Sequence, residues 1–244
     1  MKKTITLLLA TILAFFSILF VDHSGIQVQA QDNMVYDTSL FSGLEYRMVG
    51  PYRGGRSTAV AGFIDEPYTF LQGSSGGGIW RTTDAGTSWH NISDGFFGGS
   101  IGAVAIAEAD PNIIYVGTGS ADPRGNTSAG HGVYKSEDKG KTWSFIGLPE
   151  AGQIGKIRVH PKDPNLVYVA ALGHIFGPNK ERGVYRSKDG GDNWEAVLQL
   201  SDTTGAITLA MNPQNPKEIY AGMWRAERKP WSMISGGLGG RVYK

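Results

Sequence analysis

The side chains in this sequence that are able to recognise another molecule gather in irregular, glycine-rich stretches. Arg53, Arg56, Asp122, Arg124, His131, His174, Arg182, Arg225, Glu227, Arg228 and Trp231 lie in such stretches, with Phe96 and Phe97 in another. Guanidinium groups present forked donors to carboxylate oxygens, and an indole offers a stacking surface. A set of this kind suits an anionic sugar, a carboxylate or the C-terminus of a peptide, so a glycan, peptide or protein ligand is expected. The ligand-binding candidates are Arg53, Arg56, Asp122, Arg124, His131, His174, Arg225, Arg228 and Trp231. The competing reading is that each arginine caps loop carbonyls or pairs with a local acid and that Phe96, Phe97 and Trp231 pack between structural units.

Other chemistries find no support. His90, His131, His160 and His174 form no His-x-His or His-x-x-x-His pair and have no acid at a ligand-like interval, so neither a metal nor a cofactor is expected. There is no Gly-x-Ser-x-Gly elbow, and the glycine run at 73–78 lacks the Lys-Ser/Thr that closes a phosphate-binding loop. No catalytic residue can be assigned. With 23 Lys plus Arg against 22 Asp plus Glu, the formal charge of +1 leaves no electrostatic footprint for nucleic acid. The absence of cysteine removes disulfides, thiolate metal sites and cysteine nucleophiles together.

The N-terminus reads as an export signal. Lys2 and Lys3 precede an uncharged run, Ile5 to Val21, and Val28-Gln29-Ala30 supplies small residues for cleavage before Gln31. The expected organisation is a signal peptide at 1–30, a lead-in at 31–43 and a repeat domain at 44–244. The mature protein is expected to be secreted or periplasmic, with no membrane attachment after cleavage.

The elements that position the candidate residues are set by an internal repeat. Thr82-Thr83-Asp84-Ala85-Gly86-Thr87-Ser88-Trp89 recurs as Ser136-Glu137-Asp138-Lys139-Gly140-Lys141-Thr142-Trp143 and as Ser187-Lys188-Asp189-Gly190-Gly191-Asp192-Asn193-Trp194. Strand-like pieces precede each box: Gly78 to Arg81, Gly132 to Lys135 and Gly183 to Arg186, with a further copy at Gly240 to Lys244. Ahead of these lie paired apolar runs split by a Pro-containing turn, as in Ile101 to Ala107, Asp110-Pro111-Asn112 and Ile113 to Gly117. The same arrangement recurs around Asp163-Pro164-Asn165, Asn215-Pro216 and, more weakly, Glu66-Pro67. Each unit thus holds four short strands, A to D. Four antiparallel strands per repeat of roughly 50 residues, with 35 glycines in the chain, predict an all-β fold, a β-propeller of four-stranded antiparallel blades, rather than a solenoid.

The boxes have a mechanical reading. Asp84, Asp138 and Asp189 can accept N–H bonds within their own turns, while Gly86, Gly140 and Gly191 allow positive φ. Trp89, Trp143 and Trp194 can cover the neighbouring sheet. Copies at one place in successive blades cannot converge on a single catalytic or calcium site, so these residues are read as structural.

The motif resembles the Asp-box, or bacterial neuraminidase repeat. Gly50 to Arg56, Ile101 to Ala105 and Tyr168 to His174 further resemble large exported bacterial proteins described as sortilin N-terminal-domain-like or glycosyl-hydrolase-like, which are much longer. That resemblance implies the propeller fold but no single activity, because such propellers include sialidases, xyloglucan-cleaving enzymes, sortilin-type receptors and photosystem assembly factors. Of the sialidase Phe/Tyr-Arg-Ile-Pro string, Tyr52-Arg53-Gly54-Gly55 matches only the first half. Where xyloglucan-cleaving hydrolases carry a catalytic Asp, Gly73 to Gly78 holds no carboxylate, and a glycosidase needs two.

In an A-B-C-D blade the boxes and Pro turns share one face. The B–C loops 118–131, 172–182 and 223–239 and the D–A connections 50–57, 94–100, 147–153 and 201–205 share the other, where long loops concentrate binding groups. Leu44 to Val49 can complete a ring of four blades as a missing strand D. Alternatively, the chain is the start of a larger propeller, with any catalytic carboxylates of a glycoside hydrolase beyond Lys244.

Overall fold

The computed structural model describes residues 37–44, 56–125 and 127–244. The export signal, Arg53 and the closing strand read at 44–49, apart from Leu44, lie outside the described residues. The described residues belong to two units. In the first, the turn Thr38–Phe41 is a short 3-10 helix, and the Asp37 carboxylate accepts the Ser39 N–H at 2.9 Å.

The second unit is built from four antiparallel four-stranded sheets. The first contains β1 (Ser57–Phe63), β2 (Glu66–Ser74), β3 (Ile79–Thr82) and β4 (His90–Asn91). Next come β5 (Ile101–Ile106), β6 (Ile114–Thr118), β7 (Val133–Ser136) and β8 (Ser144–Gly147). The third holds β9 (Ile154–His160), β10 (Asp163–Ala171), β11 (Gly183–Ser187) and β12 (Glu195–Leu198). The fourth holds β13 (Thr204–Asn212), β14 (Asn215–Lys229), β15 (Ser232–Ser235) and β16 (Val242–Tyr243). Each of the first three sheets is a meander in chain order, the blade of a propeller. No α-helix occurs among the described residues, and none of their helices is long and apolar enough to cross a membrane.

Tight turns and β-branched runs make these strands, and burial orders them into blades. Ile154, Ile157, Val167 and Val169 are fully buried with Tyr115 and Val133 of the preceding blade, so the apolar clusters lie between sheets. The seam between successive inner strands requires close backbone approach. A Cβ on Gly102 would stand 2.0 Å from the Ile154 carbonyl oxygen, and one on Gly155 would stand 2.1 Å from that of Ile207. At the equivalent place in the first blade Thr58 donates its hydroxyl to the Ile101 carbonyl.

The fourth blade departs from the pattern. Its β14 runs 15 residues, and its two halves serve different partners. Ala221 and Gly222 pair with Tyr243 and Val242 of β16 in the position of strand C, whereas Ala226 to Lys229 pair with Ser235 to Ser232 of β15. The stretch 223–239, expected as a loop, is therefore largely a β-hairpin standing out from the blade. Burial alternates at Ala221 and Met223 within the sheet, and Ala226, three residues on, is buried where β14 turns to pair with β15.

Candidate functional site

The box turns occupy one face and are closed locally. Thr82 donates its hydroxyl to Asp84 Oδ1 at 2.7 Å and accepts the Gly86 N–H at 2.8 Å. Asp84 then accepts the backbone N–H and hydroxyl of Ser88 at 2.9 and 2.6 Å. Ser136, Asp138 and Thr142 repeat this at 2.8, 2.9 and 2.6 Å, and Ser187, Asp189 and Asn193 repeat it at 2.7, 2.9 and 2.8 Å. These donors stabilise the charged carboxylate, so all three acids lie below their ordinary range, Asp138 and Asp189 at about 2. Their oxygens are engaged by their own turns, which argues against catalysis by them. Gly86, Gly140 and Gly191 take φ of 93°, 82° and 108°, and the preceding residue is left-handed too, Ala85 at 58° and Lys139 at 62°. The tryptophans of the second and third boxes reach across: the Trp143 indole N–H donates to the Ile92 carbonyl at 2.8 Å, and Trp194 donates to Ile146 at 2.6 Å. Trp89 instead donates to Gly86 in its own turn at 3.1 Å.

On the opposite face the loops are held by non-repeating contacts. Arg182, read from the sequence among the reactive side chains, is 1% exposed. Its Nη1 donates to the carbonyls of Leu172 and Thr203 at 2.9 and 3.1 Å, and its Nη2 to those of His174 and Gly177 at 2.6 and 3.1 Å. Its Nε donates to Asn179 Oδ1 at 2.9 Å. All its donor directions are taken up inside the protein, so Arg182 shapes the 172–182 loop rather than meeting a ligand. Phe97 is likewise a packing residue, stacked on Tyr134 at 4.3 Å and edge-on to Trp143 at 5.5 Å.

The 118–131 loop is anchored at its base. Thr118 donates its hydroxyl to the Gly132 carbonyl at 2.8 Å and accepts the His131 N–H at 2.7 Å. Ser100 and Ser128 share a 2.7 Å hydroxyl contact. Asp122, Arg124 and His131 project from this loop and are exposed. The hairpin approaches it: a Cβ on Gly125 would lie 3.7 Å from the Arg228 guanidinium. Arg228 in turn donates its N–H to the Ile175 carbonyl at 2.6 Å, which fixes the hairpin beside the 172–182 loop. Trp231 at the hairpin tip is 81% exposed, and Phe176, next to Ile175, is 54% exposed.

Of the candidates, the fold therefore brings Arg228 to the loop that carries Asp122 and Arg124, with Trp231 exposed at the tip of the same hairpin. His174 is half-buried, and its carbonyl is an Arg182 acceptor. Arg225 lies under Gly237, with its Nε buried and unpartnered. Arg56 belongs to the first blade, where it donates to Ser75 Oγ at 3.1 Å. Two residues of interest were missed in the sequence. Phe176 has no counterpart in the other repeats, so only its aromatic character in a polar loop marked it. Glu181 accepts the Glu150 N–H at 2.6 Å, and burial pushes its carboxyl upward. An open recess of about 330 Å³, lined by Lys180, Gln199, Leu200, Ser201 and Asp202, adjoins the same loop. No cluster of three or more His, Cys, Asp or Glu able to hold a metal ion occurs among the described residues.

Comparison with known proteins bears on the fold and the family. A family model described as Sortilin, neurotensin receptor 3 (Sortilin-Vps10) matches residues 77–227. A xyloglucanase of Hypocrea jecorina is 26% identical over 207 residues, 78% of this chain and 24% of that protein. Xyloglucanase Xgh74A of Acetivibrio thermocellus is 28% identical over 195 residues, 68% of this chain and 21% of its own length. This chain thus spans about a quarter of the length of these relatives. Among solved structures, an ancestral GH74 enzyme aligns with a TM-score of 0.54 at 22% identity, covering 76% of this chain and 26% of that one. The GH74 enzyme of Niastella koreensis aligns at 0.53 and 17% identity, covering 76% and 29%. These structures share the propeller architecture.

Proposed function

The chain belongs to the Sortilin-Vps10 family, and from that premise we propose that it is an exported propeller that binds a glycan on its loop face. Residues 1–30 serve as the export signal, 31–43 as a lead-in and 44–244 as the propeller part. The observation that carries the reading is the pairing of an 81% exposed Trp231 with Arg228 on one hairpin, tied through Ile175 to the loop bearing the exposed Phe176. Exposed aromatic faces supply contact area to sugar rings at low entropic cost, and the guanidinium of Arg228 supplies donors beside them. The xyloglucanases similar to this chain are, by name, glycan-acting proteins. Among the remaining candidates, Arg124 and Asp122 are the polar groups placed to meet the same ligand. Arg53 and Arg56 stay candidates for a separate part of the face.

A second reading is favoured by the same relatives. The chain matches about a quarter of each xyloglucanase, so it can also be the N-terminal part of a glycoside hydrolase whose catalytic carboxylates follow Lys244.

Titration calorimetry with xyloglucan oligosaccharides tests the first reading. We expect binding that Trp231→Ala weakens roughly tenfold or more, with Phe176→Ala next. Binding indifferent to both changes would overturn the assigned surface. Turnover of the glycan by this chain, abolished in Asp122→Asn or Glu150→Gln, would replace the binding reading with a self-sufficient enzyme.

A further inference from the structure

The innermost strands of the blades carry a recurring pair of small side chains, and one blade breaks the recurrence. Strand register sets Ala59 and Ala61 of β1 level with Ala103 and Ala105 of β5, with Lys156 and Arg158 of β9, and with Thr208 and Ala210 of β13. In the second blade these positions are apolar packing: Ala103 is buried, and Ala105 packs with it against the third blade. The third blade therefore places two cations where its neighbours place small uncharged side chains.

Lys156 pairs with Ala170 and Arg158 with Tyr168, so the cations share a sheet face with residues that pack with Ala206 and Leu209 of the fourth blade. Two positions apart on one strand face, their backbones stand about 7 Å from each other. Both side chains are half-buried. Arg158 reaches across the seam, its Nε donating to the Leu209 carbonyl at 3.1 Å. Its Nη groups and the Lys156 Nζ have no hydrogen-bond or ion-pair partner among the described residues. Burial pushes both groups below their ordinary values, the neighbouring Arg158 charge adds to the effect on Lys156, and no carboxylate opposes either shift. Elsewhere in the same unit Lys135, Lys139, Arg186 and Lys229 each meet a glutamate.

We propose that Lys156 and Arg158 form an anion-binding site at the inner edge of the third and fourth blades, and that its ligand is a tetrahedral dianion of the phosphate class. Two partly desolvated like charges repel, and a dianion between them replaces that repulsion with charge-assisted hydrogen bonds to both. With its Nε held by Leu209, the Arg158 guanidinium presents its two Nη groups, and Lys156 adds a point charge from a second position on the strand. A tetrahedral oxyanion has oxygens for both, whereas a single arginine fork already engages both oxygens of a carboxylate. The site lies on β9 and its seam with β13, and it uses none of the loop-face residues, so it stands apart from the glycan reading.

Titration calorimetry of the whole chain with inorganic phosphate, at fixed ionic strength in a chloride buffer, is the test. We expect saturable binding that Lys156→Ala and Arg158→Ala each weaken roughly tenfold or more. Alanine is the residue of the first two blades at both positions, so both variants should fold. In the absence of phosphate Lys156→Ala should melt no lower than the parent, because it removes a like-charge repulsion. Lys156→Gln, which keeps the length of the side chain and loses its charge, should also lose binding. Acetate should bind at least roughly tenfold more weakly than phosphate. Glucose 6-phosphate bound as tightly as the free ion would support the same site for a phosphate ester. The absence of saturable phosphate binding, binding unchanged in both alanine variants, or acetate bound as tightly as phosphate would overturn the proposal.

Discussion

On the box face Asp84, Asp138 and Asp189 each hold a turn with bonds that reach no further than four residues, while on the loop face Arg182 gathers carbonyls from Leu172, His174, Gly177 and Thr203. The first kind of order is local and repeats with the sequence. The second depends on one buried cation whose acceptors come from segments up to 21 residues away. Repetition makes the box face a row of self-contained turns, two of whose tryptophans reach the preceding blade, while the loop face is ordered by contacts that do not repeat.

The largest expected effect breaks the loop face. Arg182→Met removes every donor from that group of carbonyls and should cost at least about 3 kcal/mol in chemical unfolding. Amide exchange at 172–179 should accelerate while the first blade is unchanged. Arg182→Lys should not rescue it, because a single ammonium cannot span acceptors arranged for a planar fork.

On the box face the effects are smaller and graded. Trp143→Phe and Trp194→Phe retain most of the ring and lose the bond to the preceding blade, costing about 1–2 kcal/mol each in urea denaturation. Trp89→Phe should cost under about 0.5 kcal/mol, because its N–H bond stays within its own turn. Equal losses at all three positions would show that the indole bonds do not couple the blades.

Acid separates the two faces as well. The box carboxylates have folded pKa values below the ordinary 3.8, with Asp138 and Asp189 at about 2. Their contribution is therefore complete above about pH 4 and is lost as pH falls through about 2. Asp138→Asn and Asp189→Asn should flatten that acid limb in a series of thermal melts, and Trp231→Ala on the loop face should leave it intact. The smallest effect comes from the backbone. Ala85→Gly relieves a left-handed alanine at φ 58° and should stabilise by up to about 1 kcal/mol, read from the thermal midpoint.

Legibility in the sequence follows the same division. The box spacing, the Pro turns and the alternating runs marked nearly every strand, since each is fixed by contacts between near neighbours. The hairpin at β14 and β15 was read as a loop because the stretch 223–239 has no counterpart in the other repeats, and its pairing is decided by strand register. For Arg182 the sequence left ligand binding and carbonyl capping both open, and only the fold selects capping, while the left-handed Ala85 and Lys139 carry no mark of their conformation in residue type.

The sequence by itself determined the repeat, the antiparallel blades and the self-contained turns, because hydrophobic alternation and Asp, Gly and Trp at fixed offsets act over a few bonds. The tertiary structure alone decided which arginine is buried and which is presented, and where Trp231 and Phe176 stand. Those outcomes depend on chain segments tens of residues apart meeting in space, and no local pattern specifies such a meeting.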